Sequence, residues 1–175
     1  MIRIGVVGCG YWGPKLIRNF QSIDTCEVKM VADLDPNRLK EIRLNYPAVE
    51  LTTDASELLN RIDIDAVAIA TPVCSHYSIA MEAMQNGKHV LIEKPMTKTT
   101  EQAKRLIDLS KQKNLILMVD HTFVYTEAVN KIKKLISEGK LGDLYYFDSV
   151  RVNLGLFQHD VNVVWDLAPH DFSIM

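Results

Sequence analysis

The sequence predicts an α/β protein in which a doubly wound parallel sheet is followed by the start of an α+β domain. Three observations predict this architecture. Apolar runs rich in Val and Ile alternate with amphipathic segments, the runs are continuously apolar, and three closely spaced glycines follow the first run. Strands buried on both faces have this continuous pattern, and repeated strand–helix–strand units imply a parallel sheet with helices on both faces.

The first domain is expected to cover residues 1–120. Its predicted strands are residues 2–7, 27–33, 65–70, 88–92 and 115–119. Its predicted helices are residues 14–22, 36–46, 55–61, 76–86 and 100–112. Asp54, three residues before Glu57, and Thr99, three before Gln102, have the spacing of helix capping boxes.

The pattern changes after residue 120. We expect a helix at about 126–138 and then a longer strand of mixed polarity at 144–154, which is typical of an antiparallel sheet. Residues 163–175 have the pattern of a helix that is only beginning. The prediction is therefore a second, α+β domain at 121–175 that is incomplete, so that its long strand has an unpaired edge.

Composition excludes several classes of function. The 175 residues are 47% hydrophobic and 24% charged, as in an ordinary soluble globular protein, and the formal net charge of -2 gives no footprint for nucleic acid. No apolar run reaches the ~18 residues of a membrane span, and the N-terminus lacks a signal-peptide layout, so we expect a cytoplasmic protein without a membrane partner. The three cysteines, Cys9, Cys26 and Cys74, are scattered without metal-type spacing. A reducing compartment and no metal site are therefore expected.

The three glycines form the pattern G-x-G-x-x-G, with Gly8, Gly10 and Gly13 lying directly after a strand and at the start of a helix. The first permits a tight turn, the second lets a pyrophosphate approach the backbone, and the third lets helix and strand pack closely. The free N–H groups of the helix then face the phosphates. In this context the motif predicts a Rossmann domain that binds a dinucleotide.

An acidic residue in the expected place favours NAD as the cofactor. Asp33 ends the second strand, about twenty residues after the last glycine, where a carboxylate can accept hydrogen bonds from the adenosine ribose and repel a 2′-phosphate. NADP is therefore expected to bind less well. The alternative for Asp33 is a turn or capping residue beside Asp35. Tyr11 and Trp12, between the glycines, are further candidate cofactor contacts, and Trp12 is equally well explained as a structural cover.

The end of the strand 65–70 is the next place where candidate residues lie. Thr71 and Pro72 follow the strand 65–70, at the carboxyl edge where open parallel sheets bind ligands, and they are candidate cofactor contacts. His76 follows in the first turn of the next helix, where a histidine is either a cofactor contact or a packed residue.

The strand 88–92 ends in Glu93, Lys94 and Pro95, which should lie on the same edge as the glycine loop. The lysine offers three donors and a positive charge that can orient a substrate hydroxyl, and the proline stops the strand. All three are candidate cofactor-binding residues, and Lys94 is also a candidate catalytic residue. The alternative is a surface lysine at a strand end.

Two further candidate catalytic residues lie near the end of the sequence. Asp166 and His170 are four residues apart, so both project from one face if the segment is helical. Pro169 disfavours a helix interior, so the helix could instead begin near it, with Asp171 as a possible cap. Histidine titrates near neutral pH and can take the proton of an alcohol, while a carboxylate orients and stabilises its ring.

The combination of this glycine loop with "TPVCSH", "EKP" and "DLAPH" resembles the glucose-fructose oxidoreductase, inositol dehydrogenase and MocA family of NAD(P)-dependent oxidoreductases. The resemblance implies a nucleotide-binding domain before a mostly antiparallel sheet domain, and hydride transfer between sugar or cyclitol carbons and nicotinamide. It implies that Lys94, Asp166 and His170 are the catalytic residues. It also implies that this chain is shorter than its relatives, which are homo-oligomers in full-length form.

The segments "GYWGPKLIRNF" and "RVNLGLFQHDVNVVWDLAPHD" resemble a branch of that family encoded with bacterial surface-polysaccharide pathways. This resemblance implies a UDP-activated amino sugar that is oxidised at C3 as the substrate. It also implies that Arg151, Asn153 and Asn162 join Lys94 and His170 as substrate contacts. Two other functions stay open. One is a catalytically silent sensor that binds NAD and a sugar, and the other is an NAD(P)H-dependent imine or carbonyl reductase.

Overall fold

The computed structural model describes residues 1–152 and 161–175. The chain divides into two compact units, Met1–Val119 and Asp120–Met175. No helix of the described residues is long and apolar enough to cross a membrane.

Six parallel strands form the sheet in the described part of the first unit. They are β1 (Ile2–Val7), β2 (Cys26–Ala32), β3 (Glu50–Thr52), β4 (Ala66–Ile69), β5 (His89–Ile92) and β6 (Leu117–Val119). Their order is β3-β2-β1-β4-β5-β6, so the chain builds outward first on one side of β1 and then on the other. The predicted doubly wound parallel sheet is confirmed, and its switch point, where such sheets bind ligands, lies between β1 and β4.

Five helices connect these strands. They are α1 (Gly13–Gln21), α2 (Pro36–Asn45), α3 (Ala55–Leu59), α4 (Val73–Gln85) and α5 (Thr100–Lys113). Both predicted N-caps are confirmed, since Asp54 accepts a hydrogen bond from Ser56 N–H at 2.9 Å and Thr99 accepts one from Gln102 N–H at 3.2 Å. The box predicted at Asp54 is not closed, because the Glu57 carboxylate accepts its hydrogen bond from the Thr52 hydroxyl instead. Helix α4 begins earlier than predicted because Pro72, which lacks an N–H, fits the position before a first helical turn.

Both faces of the sheet are buried. Val6 belongs to one hydrophobic cluster with Ile17 of α1 and Ile42 of α2, whereas its neighbour Val7 belongs to another with Met84 of α4. Consecutive strand residues point to opposite faces, so the two clusters lie on opposite sides of the sheet. This is why the strands read as continuously apolar in the sequence.

Strand β3 was not predicted. It has only three residues, none of them buried, and it pairs on one side with β2 at the edge of the sheet. An edge strand of this length has no continuous apolar run for a sequence pattern to detect.

The described residues of the second unit form a short 3-10 helix (Thr122–Tyr125) and two α-helices, α6 (Glu127–Ser137) and α7 (Val163–Ile174). The predicted strand at 144–154 is wrong for residues 144–152, which form no strand, and its last two residues lie outside the described ranges. Tyr145 is 90% exposed and Tyr146 is 88% exposed. A strand needs a hydrogen-bonding partner, and the described residues supply none for this segment.

The helical pattern predicted at 163–175 is confirmed by α7, whereas the alternative in which the helix begins near Pro169 is wrong, because Pro169 lies inside the helix. Asn162 sets the start of the helix, since its side chain accepts a hydrogen bond from Trp165 N–H at 2.9 Å. Pro169 lies past the first turn and so removes one hydrogen bond from the helix. The helix is therefore capped by Asn162 and not by Asp171, which the sequence had also allowed as a cap.

Candidate active site

The carboxyl ends of four strands meet along one edge of the sheet, which we call the cofactor edge. Three backbone hydrogen bonds link the residue after a strand to the last residue of its neighbour: Gly8 N–H to Ala32 O at 2.8 Å, Ala70 N–H to Val7 O at 2.8 Å and Glu93 N–H to Ile69 O at 2.9 Å. The loops after β2, β1, β4 and β5 therefore follow one another along this edge. The candidate residues of the first unit all lie on these loops or at the helix starts beside them.

The three glycines of the motif differ in what surrounds them. A Cβ atom added to Gly8, whose φ is +98°, would lie 2.7 Å from the carbonyl oxygen of Ala70, and one added to Gly13 would collide with the carbonyl oxygen of Gly8. A Cβ atom on Gly10 would meet only the Arg38 guanidinium, at 3.8 Å. The fold itself therefore requires the first and third glycines, whereas the second leaves an open backbone that a ligand can approach.

Helix α1 begins without a capping side chain and with no acidic residue in its first turn, and Pro14 contributes no N–H. The first N–H groups of a helix need external partners, and a phosphate satisfies both them and the helix dipole. Tyr11 and Trp12, between the glycines, are 62% and 42% exposed. The residues present at this loop therefore fit the diphosphate of a dinucleotide.

The Asp33 carboxylate links the glycine loop to the end of β2 by a hydrogen bond. Its Oδ2 accepts a hydrogen bond from Cys9 N–H at 2.5 Å, and its Oδ1 accepts one from Asp35 N–H at 2.8 Å. The Asp33 side chain is 6% exposed and lies 3.6 Å from the Arg38 guanidinium. Asp35, rather than Asp33, caps α2, since it accepts a hydrogen bond from Asn37 N–H at 2.9 Å.

Two neighbours of Asp33 were not predicted as part of the site. Arg38, in the first turn of α2, also lies 3.8 Å from Asp35. The signal available in the sequence was a basic residue five positions after Asp33. Cys9 is buried, and this burial, together with the nearby Asp33 carboxylate, raises the pKa of its thiol to about 12. The Cys9 thiol is therefore uncharged at neutral pH.

His76 lies between two loops of the cofactor edge and contacts both. The ring is 1% exposed, with Nε2 2.8 Å from the carbonyl oxygen of Thr71 and Nδ1 3.0 Å from that of Pro95. The Thr71 hydroxyl accepts a hydrogen bond from Ser75 Oγ–H at 2.8 Å. The sequence left two roles open for His76, a cofactor contact or a packed residue. The structure shows a buried ring that lies between the loops after two strands.

Lys94 lies on the cofactor edge, two residues beyond the end of β5. It is half-buried, between the buried side chain of Glu93 and the buried Pro95, and the Lys94–Pro95 peptide is cis. The structure therefore places the EKP residues on the same edge of the sheet as Gly10 and Asp33.

Asp166 and His170 belong to the second unit, where both lie in α7 and, at a spacing of four, on one face of the helix. Both residues are half-buried. The His170 ring contacts the ring of Phe123 edge to face, with 4.7 Å between centroids. This contact fixes the plane of the imidazole relative to the 3-10 helix.

Arg151 pairs with the carboxylate of Asp171. Its Nε lies 3.0 Å from Oδ2 and its Nη2 lies 2.8 Å from Oδ1, so the pair is bidentate. The Arg151 hydrogen bonds, assisted by one from the Ser149 hydroxyl, hold the pKa of Asp171 below its usual value. The substrate role of Arg151 stays a prediction, and Asn153, another predicted substrate contact, lies outside the described residues.

No group of three or more His, Cys, Asp or Glu residues within ranges 1–152 and 161–175 could hold a metal ion. The fold and the cofactor edge define a dinucleotide-binding Rossmann unit.

A family model described as "Oxidoreductase family, NAD-binding Rossmann fold" matches residues 2–121. The chain belongs to this family of glucose-fructose oxidoreductase, inositol dehydrogenase and MocA proteins, so the predicted family is confirmed.

Curated relatives agree with this assignment. The chain is 30% identical to scyllo-inositol 2-dehydrogenase (NADP(+)) of Bacillus subtilis, with 94% of this chain and 44% of the relative covered. It is 31% identical to dTDP-3,4-didehydro-2,6-dideoxy-alpha-D-glucose 3-reductase of Saccharopolyspora spinosa, over 85% of this chain and 45% of the relative.

Among solved structures, a 3-ketoreductase from Actinomadura kijaniata in complex with NADP and TDP-benzene is 29% identical, with a TM-score of 0.73 over 79% of this chain and 42% of that chain. The chain thus spans less than half the length of these relatives.

Proposed function

We propose that this chain is the nucleotide-binding part of an NAD(P)-dependent oxidoreductase that transfers a hydride between nicotinamide and the sugar carbon that bears a secondary hydroxyl. One observation carries the proposal: the open backbone of Gly10, the carboxylate of Asp33 and the residue Lys94 all lie along a single edge of the sheet. In a sheet of this order, dinucleotides bind across the carboxyl edge at the switch point.

The order of the strands gives the ligand a direction. Asp33 follows β2, the glycine loop follows β1, and Lys94 follows β5. From β2 to β5 there are three strand-to-strand steps, or about 14 Å. We propose that the adenosine lies at Asp33, the diphosphate at the glycine loop and the reacting ring towards Lys94.

The bound nicotinamide would supply a hydride acceptor for alcohol oxidation, or a donor for the reverse reaction. Lys94 would donate a hydrogen bond to the alcohol oxygen and stabilise negative charge there. His170 would take the hydroxyl proton as the C–H bond breaks with its electron pair and the carbonyl forms. Asp166, on the same face of α7, would stabilise the imidazolium.

NAD is the proposed preferred cofactor, with NADP weaker. The Asp33 carboxylate at the end of β2 disfavours a 2′-phosphate by charge repulsion. Arg38, 3.6 Å from Asp33, offsets part of that repulsion, so we expect NADP to retain measurable affinity.

For the substrate we propose a nucleotide-activated sugar, specifically a UDP-activated amino sugar oxidised at C3. One relative is named as a reductase of a dTDP-sugar at position 3, and another structural relative was solved with TDP-benzene. The amino sugar itself, and a place in polysaccharide biosynthesis, are supported by the resemblance of the sequence segments named above. We further propose a cytoplasmic protein that is a homo-oligomer in full-length form.

The test is calorimetric titration of the chain with NAD, NADP and a panel of UDP-sugars, together with an assay for NADH formation. We expect NAD binding and NADH formation with an amino sugar. We expect the Lys94→Met variant to bind NAD normally, because its glycine loop is unchanged. We expect it to form no NADH, because it lacks the ammonium group that donates to the alcohol oxygen. The matched control is Lys98→Met, which removes an exposed lysine four residues away.

Two results would contradict the proposal. Absence of dinucleotide binding by the folded chain would exclude the cofactor assignment. Binding of NAD and a sugar without NADH formation by the wild-type chain would favour the catalytically silent sensor.

A further inference from the structure

Three side chains at the glycine loop form what we call the aromatic–lysine cluster: Tyr11, Trp12 and Lys15. The ammonium nitrogen of Lys15 lies 3.5 Å from the centroid of the Tyr11 ring and 4.1 Å from that of the Trp12 ring. The two rings contact each other edge to face, with 5.4 Å between centroids. Both distances to the ammonium are within the range of a cation–π interaction.

Helix geometry explains how these residues meet. Lys15 is the third residue of α1, and side chains in a helix point back towards its N-terminus. Trp12 is the N-cap of α1 and Tyr11 precedes it, so a side chain that points back from the first turn reaches both rings. The ammonium group is thereby directed towards the loop between Gly10 and Gly13.

No carboxylate in the described part of the chain forms an ion pair with Lys15. The first turn of α1 contains no acidic residue. The two rings hold the ammonium group but leave its positive charge uncompensated. A fixed positive charge therefore lies beside the open backbone of Gly10 and the uncapped start of the helix.

Two large aromatic rings exposed at this loop also call for an explanation. Tyr11 is 62% exposed and Trp12 is 42% exposed. Neither belongs to the hydrophobic clusters that cover the sheet. Their contact with Lys15 gives them a function that packing does not, which is to restrain a long flexible side chain near the loop.

We propose that Lys15 binds the diphosphate of the dinucleotide, and that Tyr11 and Trp12 are positioning residues that hold its ammonium group over the glycine loop. This inference rests on the proposed function, because it assumes that the loop binds a dinucleotide. It adds a side-chain charge to the backbone donors of the glycine motif. A charge-assisted hydrogen bond from an ammonium to a phosphate oxygen is stronger than one from a neutral donor.

The experiment uses the fluorescence of Trp12. The sequence has two tryptophans, so Trp165→Phe leaves Trp12 as the only one. In this background, NADH binding is followed by quenching of Trp12 at several salt concentrations, for the parent and for Lys15→Met and Lys15→Arg. Arg18→Met, which removes an exposed cation from the other end of α1, is the matched control.

We expect Lys15→Met to weaken NADH binding about two- to fivefold at low salt, the range typical of an exposed ion pair. Its affinity should depend less on salt than that of the parent, because one screened charge contact has been removed. Lys15→Arg should restore both the affinity and the salt dependence, and Arg18→Met should leave both unchanged. The Trp12 emission of unliganded Lys15→Met should also differ, since the ammonium group no longer contacts the ring.

Parent-like affinity and salt dependence in Lys15→Met would overturn the inference while leaving the proposed function intact. Equal weakening by Lys15→Met and Arg18→Met would also overturn it, since a general loss of positive charge would then be the cause. If the parent itself does not bind NADH, the proposed function fails and the inference fails with it.

Discussion

Asp33 illustrates what a single residue's position in the sequence can and cannot reveal. Its distance from the glycines predicted that its carboxylate lies at the end of β2. Its hydrogen bonds to Cys9 N–H and Asp35 N–H, and its contact with Arg38, depend on how the loops after β1 and β2 fold against each other. No spacing rule describes that arrangement, so Arg38 was missed although it lies beside the predicted ribose site.

The contact between Asp33 and Arg38 leads to a prediction about cofactor choice. Arg38→Met should lower the affinity for NADP about tenfold, the value expected for one lost hydrogen bond to a charged group. The affinity for NAD should change less, because NAD has no 2′-phosphate for the guanidinium to bind. Calorimetric titration with both cofactors measures the ratio of the two affinities.

Arg43→Met is the matched control, because Arg43 is an exposed arginine in the last turn of the same helix. It should leave the NAD to NADP ratio unchanged. An unchanged ratio in Arg38→Met would show that Arg38 does not contribute to cofactor choice.

At the scale of elements, long apolar runs and capping spacings were reliable guides. Strands β1, β2, β4 and β5 lie within one residue of their predicted bounds, because hydrophobic clusters cover both of their faces. The edge strand β6 begins two residues later than predicted, and its Met118 is exposed. The missed strand β3 and the wrong strand at 144–152 share one cause, since a strand of mixed polarity is decided by the partner it pairs with. The start of α7 is set by the Asn162 cap, and Pro169 lies inside the helix.

Ion pairs at the opposite, amino edge of the sheet link elements that are distant in sequence. Arg3 of β1 binds the Asp65 carboxylate, just before β4, through Nη2 at 2.6 Å and Nε at 3.0 Å. Arg61 binds Asp63 and Glu50, each at 2.7 Å. The hydrogen bonds from Arg3 hold the pKa of Asp65 below its usual value, and those from Arg61 lower the pKa of Asp63 to about 2.

These lowered pKa values predict the direction of acid destabilisation. A carboxylate whose pKa is lower in the folded state stabilises that state above its unfolded pKa, and the contribution is lost as the pH falls to the folded pKa. The free energy of unfolding should therefore decrease from about pH 5 to about pH 2. Urea denaturation at a series of pH values measures it.

Asp65→Asn should make this decrease shallower, because it removes one of the carboxylates with a lowered pKa. Asp108→Asn, which changes an exposed residue of α5, is the control and should follow the wild-type curve. If Asp65→Asn has the wild-type pH dependence, the ion pair with Arg3 does not couple protonation to folding.

At the scale of the whole molecule, the two units differ in how far the sequence determines them. The first unit is a sheet with hydrophobic clusters on both faces, and the sequence predicted five of its six strands and the helices between them. In the second unit, many large apolar side chains are exposed, among them Tyr145, Tyr146 and Phe172. Local patterns could predict α6 and α7, but not which surfaces these side chains pack against.

The central claim is that the cofactor edge binds a dinucleotide, and Gly10 allows this to be tested separately from folding. A methyl group at Gly10 meets only the Arg38 guanidinium, 3.8 Å away, whereas one at Gly13 collides with the backbone of Gly8. Gly10→Ala should therefore fold as the wild type does, while its methyl group occupies the space through which the diphosphate approaches. Gly13→Ala should lower the thermal midpoint.

Calorimetric titration of NAD into the wild type and Gly10→Ala, with thermal unfolding of both, is the most direct measurement. We expect equal thermal midpoints and an NAD affinity at least about tenfold lower in Gly10→Ala, because the added methyl group clashes with the diphosphate. Equal NAD affinity in the two proteins would contradict the claim, because the open backbone at Gly10 would then not be where the cofactor binds.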